Sequence, residues 1–158
     1  MKRTVVLVLC VALTGALVLA WAQNVAKPDP SDEKLQGTWK VVAAEVQGMP
    51  VPAQKLGNVR VTFAKGAYTF QADGETQKHE YKLDSSKSPK QIDLIQRREV
   101  LNKDSTKEVL TELRPGIFEL NGDDLKLCYE DEDPKKRPAE FKSKKDTRIF
   151  YLQLRRMK

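Results

Sequence analysis

The sequence predicts an all-β fold, either an antiparallel sandwich or an up-and-down barrel, and we favour the barrel. About ten short segments alternate apolar and polar residues with a period of two. Turn signals such as Lys65-Gly66 and Asn121-Gly122 separate them at short, even intervals. No segment after Gly57 has the spacing of a long amphipathic helix. A closed barrel leaves no exposed strand edge, which suits a chain without disulfides.

The first 22 residues have the pattern of a cleaved signal peptide. A positive start, Met1 to Arg3, precedes an apolar run from Thr4 to Leu19, and Ala20-Trp21-Ala22 forms an A-x-A cleavage site. The alternative is a retained membrane anchor, since the run approaches the length of a short membrane span. We expect export to the periplasm or the exterior, with membrane contact through this segment if it stays uncleaved.

Cleavage after Ala22 leaves 136 of the 158 residues, which suits one domain. Residues 23–31 contain Pro28 and Pro30 among polar residues and are predicted to form a flexible leader. Residues 32–158 are predicted to form a single β-barrel domain. After cleavage Cys128 is the one remaining cysteine, so the expected monomer has no intrachain disulfide.

The predicted elements follow one another closely along the chain. Pro30–Gln36 is expected to form a short helical turn, because Asp29 can cap it and proline favours a first helical position. Val51–Leu56 can hold one further turn. The longest loops are expected at 84–90 and 131–138. The predicted strands are Trp39–Val46, Asn58–Phe63, Ala67–Gln71, Gln77–Leu83, Gln91–Gln96, Glu108–Leu113, Gly116–Leu120, Asp124–Tyr129, Ala139–Ser143 and Thr147–Leu154.

Gly37-Thr38-Trp39, at the start of the first strand, resembles the G-x-W motif of lipocalins and other calycins. The resemblance implies a lipocalin-like barrel in which Trp39 closes one end and an arginine from the last strand packs over the indole. Arg155 is the residue we assign to this role, and the neighbouring Arg156 is the alternative. A guanidinium stacked on an indole contributes roughly 0.5–2 kcal/mol as a cation–π contact.

A closer resemblance extends over nearly the whole chain after the signal sequence. The segments LQGTWKVVAAEVQGMPVP, KLGNVRVTFAKGAYTF, YKLDSSKSPKQIDL, GIFELNGDDLKLCY and RPAEFKS are similar to an uncharacterised domain family abundant in planctomycete bacteria. The segment from Arg97 to Lys107 departs most from that pattern. The resemblance implies a small, exported, β-rich domain without an established activity.

Alternate residues of each strand are expected to face the barrel interior. These residues either fill the core or line a pocket for a small apolar ligand, which they would hold by removing apolar surface from water. The predicted ligand-binding residues are Val61, Phe63, Phe70, Phe118, Leu127 and Leu152.

The basic charge lies in the last segment of the chain. Residues 134–158 contain ten basic and two acidic residues, whereas residues 23–133 contain 16 basic and 20 acidic residues. Export disfavours nucleic acid as a partner. The alternative function is therefore a surface domain with a filled core, whose Lys135–Arg148 segment binds a protein or an anionic envelope polymer.

No motif for catalysis or for a cofactor stands out, and we predict a non-enzymatic protein without metal or cofactor. His79 is the one histidine and is predicted to be an exposed strand residue. Cys128 is predicted to be a small buried hydrophobe rather than a reactive thiol. The acidic run Glu130 to Asp133 lacks the glycine turn and distal glutamate of an EF-hand loop. A catalytic carboxylate pair contributed by distant strands is a third, weaker alternative.

Overall fold

A computed structural model of the chain describes residues 29–158. The predicted signal peptide and residues 23–28 of the predicted leader lie outside these residues. The helices are α1 (Asp32–Leu35) and α2 (Ala53–Leu56). The strands are β1 (Gly37–Val46), β2 (Met49–Pro50), β3 (Arg60–Ala64), β4 (Ala67–Ala72), β5 (Glu75–Asp84), β6 (Lys90–Leu101), β7 (Lys107–Asn121), β8 (Asp124–Glu130) and β9 (Ile149–Arg156). Among the described residues, no helix is long and apolar enough to cross a membrane.

The prediction of an antiparallel up-and-down barrel is confirmed. Strands β1 and β3 to β9 follow one another around the sheet in chain order, and β9 pairs with β1 to close it. Strand β2 is a short addition that pairs with the end of β1. Most connections are tight turns, so neighbours in sequence are neighbours in the sheet. The turn after β7 is centred on Gly122-Asp123, where Gly122 has a φ of +59°, one residue later than predicted.

Two strand predictions were wrong. The segments predicted at Glu108–Leu113 and Gly116–Leu120 are parts of the single strand β7, which passes through Pro115. Proline is tolerated there because the ladder between β7 and β8 begins at the next residue, Gly116. The segment predicted as a strand at Ala139–Ser143 is irregular and lies on the outside of the barrel.

One end of the barrel, which we call the closed end, is sealed by Trp39. The indole is fully buried, and its Nε1 donates to the Leu35 carbonyl of α1 at 2.9 Å. The Arg156 guanidinium carbon lies 4.1 Å from the centre of the indole ring. The same guanidinium donates from Nη1 to the Gln36 carbonyl at 2.7 Å and from Nη2 to the Lys34 carbonyl at 2.6 Å. Arg156 therefore covers the indole and satisfies the exposed carbonyls at the end of α1.

The assignment of Arg155 to this role was wrong. Its Nε lies 3.0 Å from Asp124 on the outside of the barrel, and its side chain is 67% exposed. The alternation of β9 explains the difference, because Leu152 and Leu154 face inward and Arg156 continues that face. Gly37 has a φ of +118°, and a Cβ at this position would lie 3.2 Å from Arg156 Nη1. Both facts favour glycine two residues before the tryptophan.

The connection between β8 and β9, residues 131–148, forms a strap across the outer wall of the barrel. Its Phe141 packs against a second buried cluster that contains Ile117, Cys128 and Tyr151. Arg137 fixes the strap to the wall. Its Nη1 donates to the Gly116 carbonyl at 2.6 Å and to the Ile92 carbonyl at 3.0 Å, and its Nη2 lies 2.6 Å from Asp93.

The end of the predicted leader is bound to the closed end. Asp29 accepts hydrogen bonds from the backbone N–H of Ser31 at 2.8 Å and of Ser85 at 2.7 Å. These bonds and the buried environment of Ser31 hold residues 29–31 beside the loop that precedes β6. The chain therefore enters the barrel at the end opposite the opening described below.

We predict that Arg156→Lys lowers the free energy of unfolding by about 2 kcal/mol, whereas Arg155→Lys leaves it nearly unchanged. Lysine cannot stack flat on the indole and donate to two carbonyls at once, and hydrogen bonds from charged groups contribute about 1.5–3 kcal/mol. Urea unfolding of both variants measures the difference. Equal midpoints for the two variants would contradict the role of Arg156.

We also predict that Arg137→Gln increases the rate at which Cys128 reacts with Ellman's reagent by about ten-fold, because it loosens the strap over the thiol. We expect a slow reaction in the native protein, since burial raises the pKa of Cys128 to about 11. Lys136→Gln is the matched control, because Lys136 pairs with Asp133 alone. A Cys128→Ser protein supplies the background, including any from Cys10 where the N-terminal segment is retained, and equal rates in Arg137→Gln and wild type would refute the prediction.

Candidate functional site

The end of the barrel opposite Trp39 contains a cleft of about 270 Å³, which we call the mouth cleft. Its floor is buried and its rim is partly exposed. The lining residues come from strands β4 to β9 and the start of the strap; they are Tyr68, Phe70, Gln77, His79, Leu94, Arg114, Tyr129, Asp131, Phe150 and Leu152.

Strand alternation brings these side chains together. Gln77 and His79 share the inward face of β5 with the buried Tyr81, and Tyr129 continues the inward face of β8 beyond Leu127. On β7, counting back from the inward-facing Phe118 by alternate residues places Arg114 on the same face. The site is therefore built on the rigid barrel wall.

One wall of the mouth cleft is aromatic and apolar. Tyr129 and Phe150 are opposite each other on β8 and β9, and their rings stack with centroids 5.4 Å apart and planes inclined by 11°. Leu94 and Leu152 form a buried floor beside them. Offset stacking of this kind presents a flat, preformed surface to a planar or chain-like apolar molecule.

The other wall carries a charged group, Arg114, that is already neutralised. Its Nε pairs with Asp131, and its Nη2 lies 3.7 Å from Glu112. Asp131 also lies 3.8 Å from Arg148. Among the residues lining the cleft, the single positive charge and the single negative charge thus balance each other.

His79 lies against Arg114 and is nearly fully buried, with 4% of its surface exposed. Arg114 Nη1 is 3.2 Å from His79 Nδ1 and 3.4 Å from Nε2. Because arginine can only donate, a ring nitrogen that accepts from it carries no proton. Burial, and secondly the charge of Arg114, lower the pKa of His79, so the ring is neutral at physiological pH.

Tyr68 places a buried hydroxyl group beside this pair. The residue is 2% exposed, and its ring packs edge-on against Phe63 at 5.3 Å and tilted against His79 at 5.8 Å. Among residues 29–158 its hydroxyl has no hydrogen-bond partner. Burial and the nearby Tyr129 raise the pKa of Tyr68 well above its usual range, so the hydroxyl remains a donor.

The structure divides the six predicted ligand-binding residues into two groups. Phe70 and Leu152 line the mouth cleft. The other four belong to the packed interior between the cleft and the closed end, and each is at most 1% exposed; they are Val61, Phe63, Phe118 and Leu127. The structure therefore combines a filled lower core with a cleft at one end.

Sequence reasoning missed the polar residues of the cleft. His79 was predicted to be exposed, and that prediction was wrong. Its neighbours Lys78 and Glu80 are exposed, but His79 lies two residues from Tyr81 and therefore shares its inward face. The same alternation, counted back from Phe118, identifies Arg114. The charged neighbours of His79 concealed the first signal, and the charge of Arg114 itself concealed the second.

The basic C-terminal segment is largely paired with acidic residues. Six of the ten basic residues in 134–158 lie within 3.8 Å of a carboxylate; they are Lys136, Arg137, Lys144, Arg148, Arg155 and Arg156. Among residues 29–158 no group of three or more His, Cys, Asp or Glu side chains is arranged to hold a metal ion. Cys128 lies buried beneath the strap, as predicted.

Two larger grooves lie at the closed end and another lies beside the start of the strap, and they have a different character. One of about 720 Å³ lies between Asp29, Glu33 and Ser85, and none of its lining residues is buried. The mouth cleft combines a buried floor, stacked rings and an unpartnered hydroxyl. Comparison with family models, curated proteins and solved structures found no match to this chain.

We predict that His79 titrates below the ordinary histidine value of about 6.5 and that Arg114→Gln moves the midpoint upward by removing a repulsive charge. NMR of the single histidine measures both values. Because the unfolded chain binds this proton more readily, the contribution of His79 to stability falls as pH drops below about 6.5. A midpoint at or above 6.5 in the wild type would contradict the burial of His79.

Proposed function

We propose that this protein is an exported, non-catalytic binding module that holds a small, mostly apolar molecule in the mouth cleft. The observation that carries the proposal is the preformed cleft itself, in which the stacked Tyr129 and Phe150 rings face a buried floor at the barrel opening. Ligand pockets are commonly found in the mouths of β-barrels, where a mostly apolar lining surrounds a few converging polar groups.

The size of the cleft limits the ligand. A volume of about 270 Å³ corresponds to about nine water molecules at liquid density, so a compact ligand of roughly 10 to 13 non-hydrogen atoms fits. Burying about 200 Å² of apolar surface contributes about 5 kcal/mol before the cost of association. We therefore expect modest affinity and a compact ligand.

The proposal also includes export, a non-catalytic role and a monomeric state, and these three parts rest on the sequence. The A-x-A site after the apolar N-terminal run supports export to the periplasm or beyond. The resemblance to the exported planctomycete domain family and the lipocalin-like G-x-W motif support the same interpretation. Binding of an anionic polymer or protein by the Lys135–Arg148 segment has less support, because carboxylates already pair with Lys136, Arg137, Lys144 and Arg148.

We predict that Gln77→Trp weakens the binding of naphthalene at least about ten-fold, because Gln77 is an exposed rim residue and the indole would occupy the cleft. Naphthalene is a compact apolar probe, and equilibrium dialysis measures its binding. Both Gln77 and its neighbour Lys78 are exposed, so substitution of either leaves the core intact.

Lys78→Trp is the matched control, since it adds the same side chain to the same strand on the outer face. It should bind naphthalene as the wild type does, and circular dichroism checks that both variants fold. Equal affinity in the two variants would place the binding site elsewhere. Absence of naphthalene binding to the wild type would count against the proposed function.

A further inference from the structure

Within the part of the chain that the structure describes, the buried Tyr68 hydroxyl has no hydrogen-bond partner. A hydroxyl removed from water without a hydrogen bond costs folding free energy, and most buried polar groups in folded proteins are paired. Tyr68 is itself one of the residues that line the mouth cleft, together with Tyr129 and Arg114. The unpartnered hydroxyl therefore belongs to a side chain that lines the cleft.

The ring of His79 lies beside Tyr68, and Arg114 occupies it. A neutral ring that accepts from Arg114 through one nitrogen carries its hydrogen on the other nitrogen. Among the described residues, the ring nitrogens of His79 contact no group other than Arg114. The Tyr68 hydroxyl is thus the neutral donor of this wall that has no partner among the described residues.

The same wall offers no free positive charge. Arg114 is occupied by Asp131 and Glu112, so an anionic ligand would have to displace a carboxylate or remain without a counter-ion. An ionised carboxylate loses much more hydration free energy on burial than a carbonyl does. The arrangement therefore favours a neutral acceptor over an acid.

We infer that the ligand of the mouth cleft is a compact apolar molecule bearing a neutral hydrogen-bond acceptor of the carbonyl class. The carbonyl accepts from the Tyr68 hydroxyl, and the cleft excludes the corresponding carboxylate. This inference rests on the proposed function and specifies its ligand chemistry. The apolar body lies against Tyr129 and Phe150, and the carbonyl oxygen points to the opposite wall.

Three probes with one aromatic frame test the inference: naphthalene, 2-acetylnaphthalene and 2-naphthoate. We expect the wild type at pH 7.5 to bind 2-acetylnaphthalene at least about ten-fold more tightly than 2-naphthoate. We expect Tyr68→Phe to weaken the binding of 2-acetylnaphthalene about ten-fold and to leave naphthalene binding unchanged. Equilibrium dialysis against each probe gives the dissociation constants.

The variant is suited to the test because it keeps the ring and removes the unpartnered hydroxyl alone. Its free energy of unfolding should not fall, so lost binding cannot be attributed to lost folding. Tyr151→Phe is the matched control, since Tyr151 lies in the outer cluster beneath the strap. It should bind all three probes as the wild type does.

The outcomes separate the two proposals. If naphthalene binds but Tyr68→Phe retains wild-type affinity for 2-acetylnaphthalene, the inference is overturned and the proposed function stands. Equal wild-type affinities for 2-naphthoate and 2-acetylnaphthalene also overturn it, because the cleft would then accept an anion. If neither naphthalene nor 2-acetylnaphthalene binds the wild type, the proposed function and the inference fail together.

Discussion

The contact between the Arg156 guanidinium and the Trp39 ring joins the last strand, the first strand and α1 at one point. Trp39 and Arg156 are paired across the β1–β9 ladder that closes the barrel. A slip of one residue in this register would turn every inward side chain of β9 outward. The contact therefore helps to fix which residues of β9, Phe150 and Leu152 among them, reach the mouth cleft at the other end.

The two ends of the barrel differ in whether their buried polar groups are hydrogen-bonded. At the closed end the Trp39 N–H, the Lys34 carbonyl and the Gln36 carbonyl all have partners within 2.9 Å. At the open end the Tyr68 hydroxyl has none among the described residues, and His79 is buried against a cation. Stability alone does not explain such an arrangement. Residues that break the rules of local packing are typical of functional sites, where folding free energy is given up for binding.

Much of the fold was predictable from the sequence because period-two alternation and tight turns are local signals. Strands β1, β3, β4, β5, β6, β8 and β9 overlap their predicted positions, and the inward face of each follows from one or two apolar residues. The burial of His79 and the position of Arg156 follow from the same alternation. Alternation along the strand places both residues on the inward face. The prediction missed this because both are polar, and it placed polar residues outside.

Other features depend on long-range contacts that no local pattern contains. Arg137 on the strap lies 44 residues from Asp93, and its bond to the Gly116 carbonyl requires β6 and β7 to be paired already. The balance of charge in the mouth cleft likewise depends on the strap, which brings Asp131 to Arg114. The sequence could therefore predict a barrel with an apolar interior. It could not predict that the cation at the opening, Arg114, is already paired with Asp131.

The strap also explains why the net charge of the C-terminal segment is a weak guide to function. Basic residues of the C-terminal segment form ion pairs with acidic residues on the barrel wall and in the turns. Arg137 pairs with Asp93, and Arg155 pairs with Asp124. A segment that is strongly basic along the chain is thus partly neutralised in three dimensions. Exposed pairs of this kind add little stability individually. They do reduce the unbalanced charge that an anionic surface partner would need, which leaves the apolar mouth cleft as the better-supported binding site.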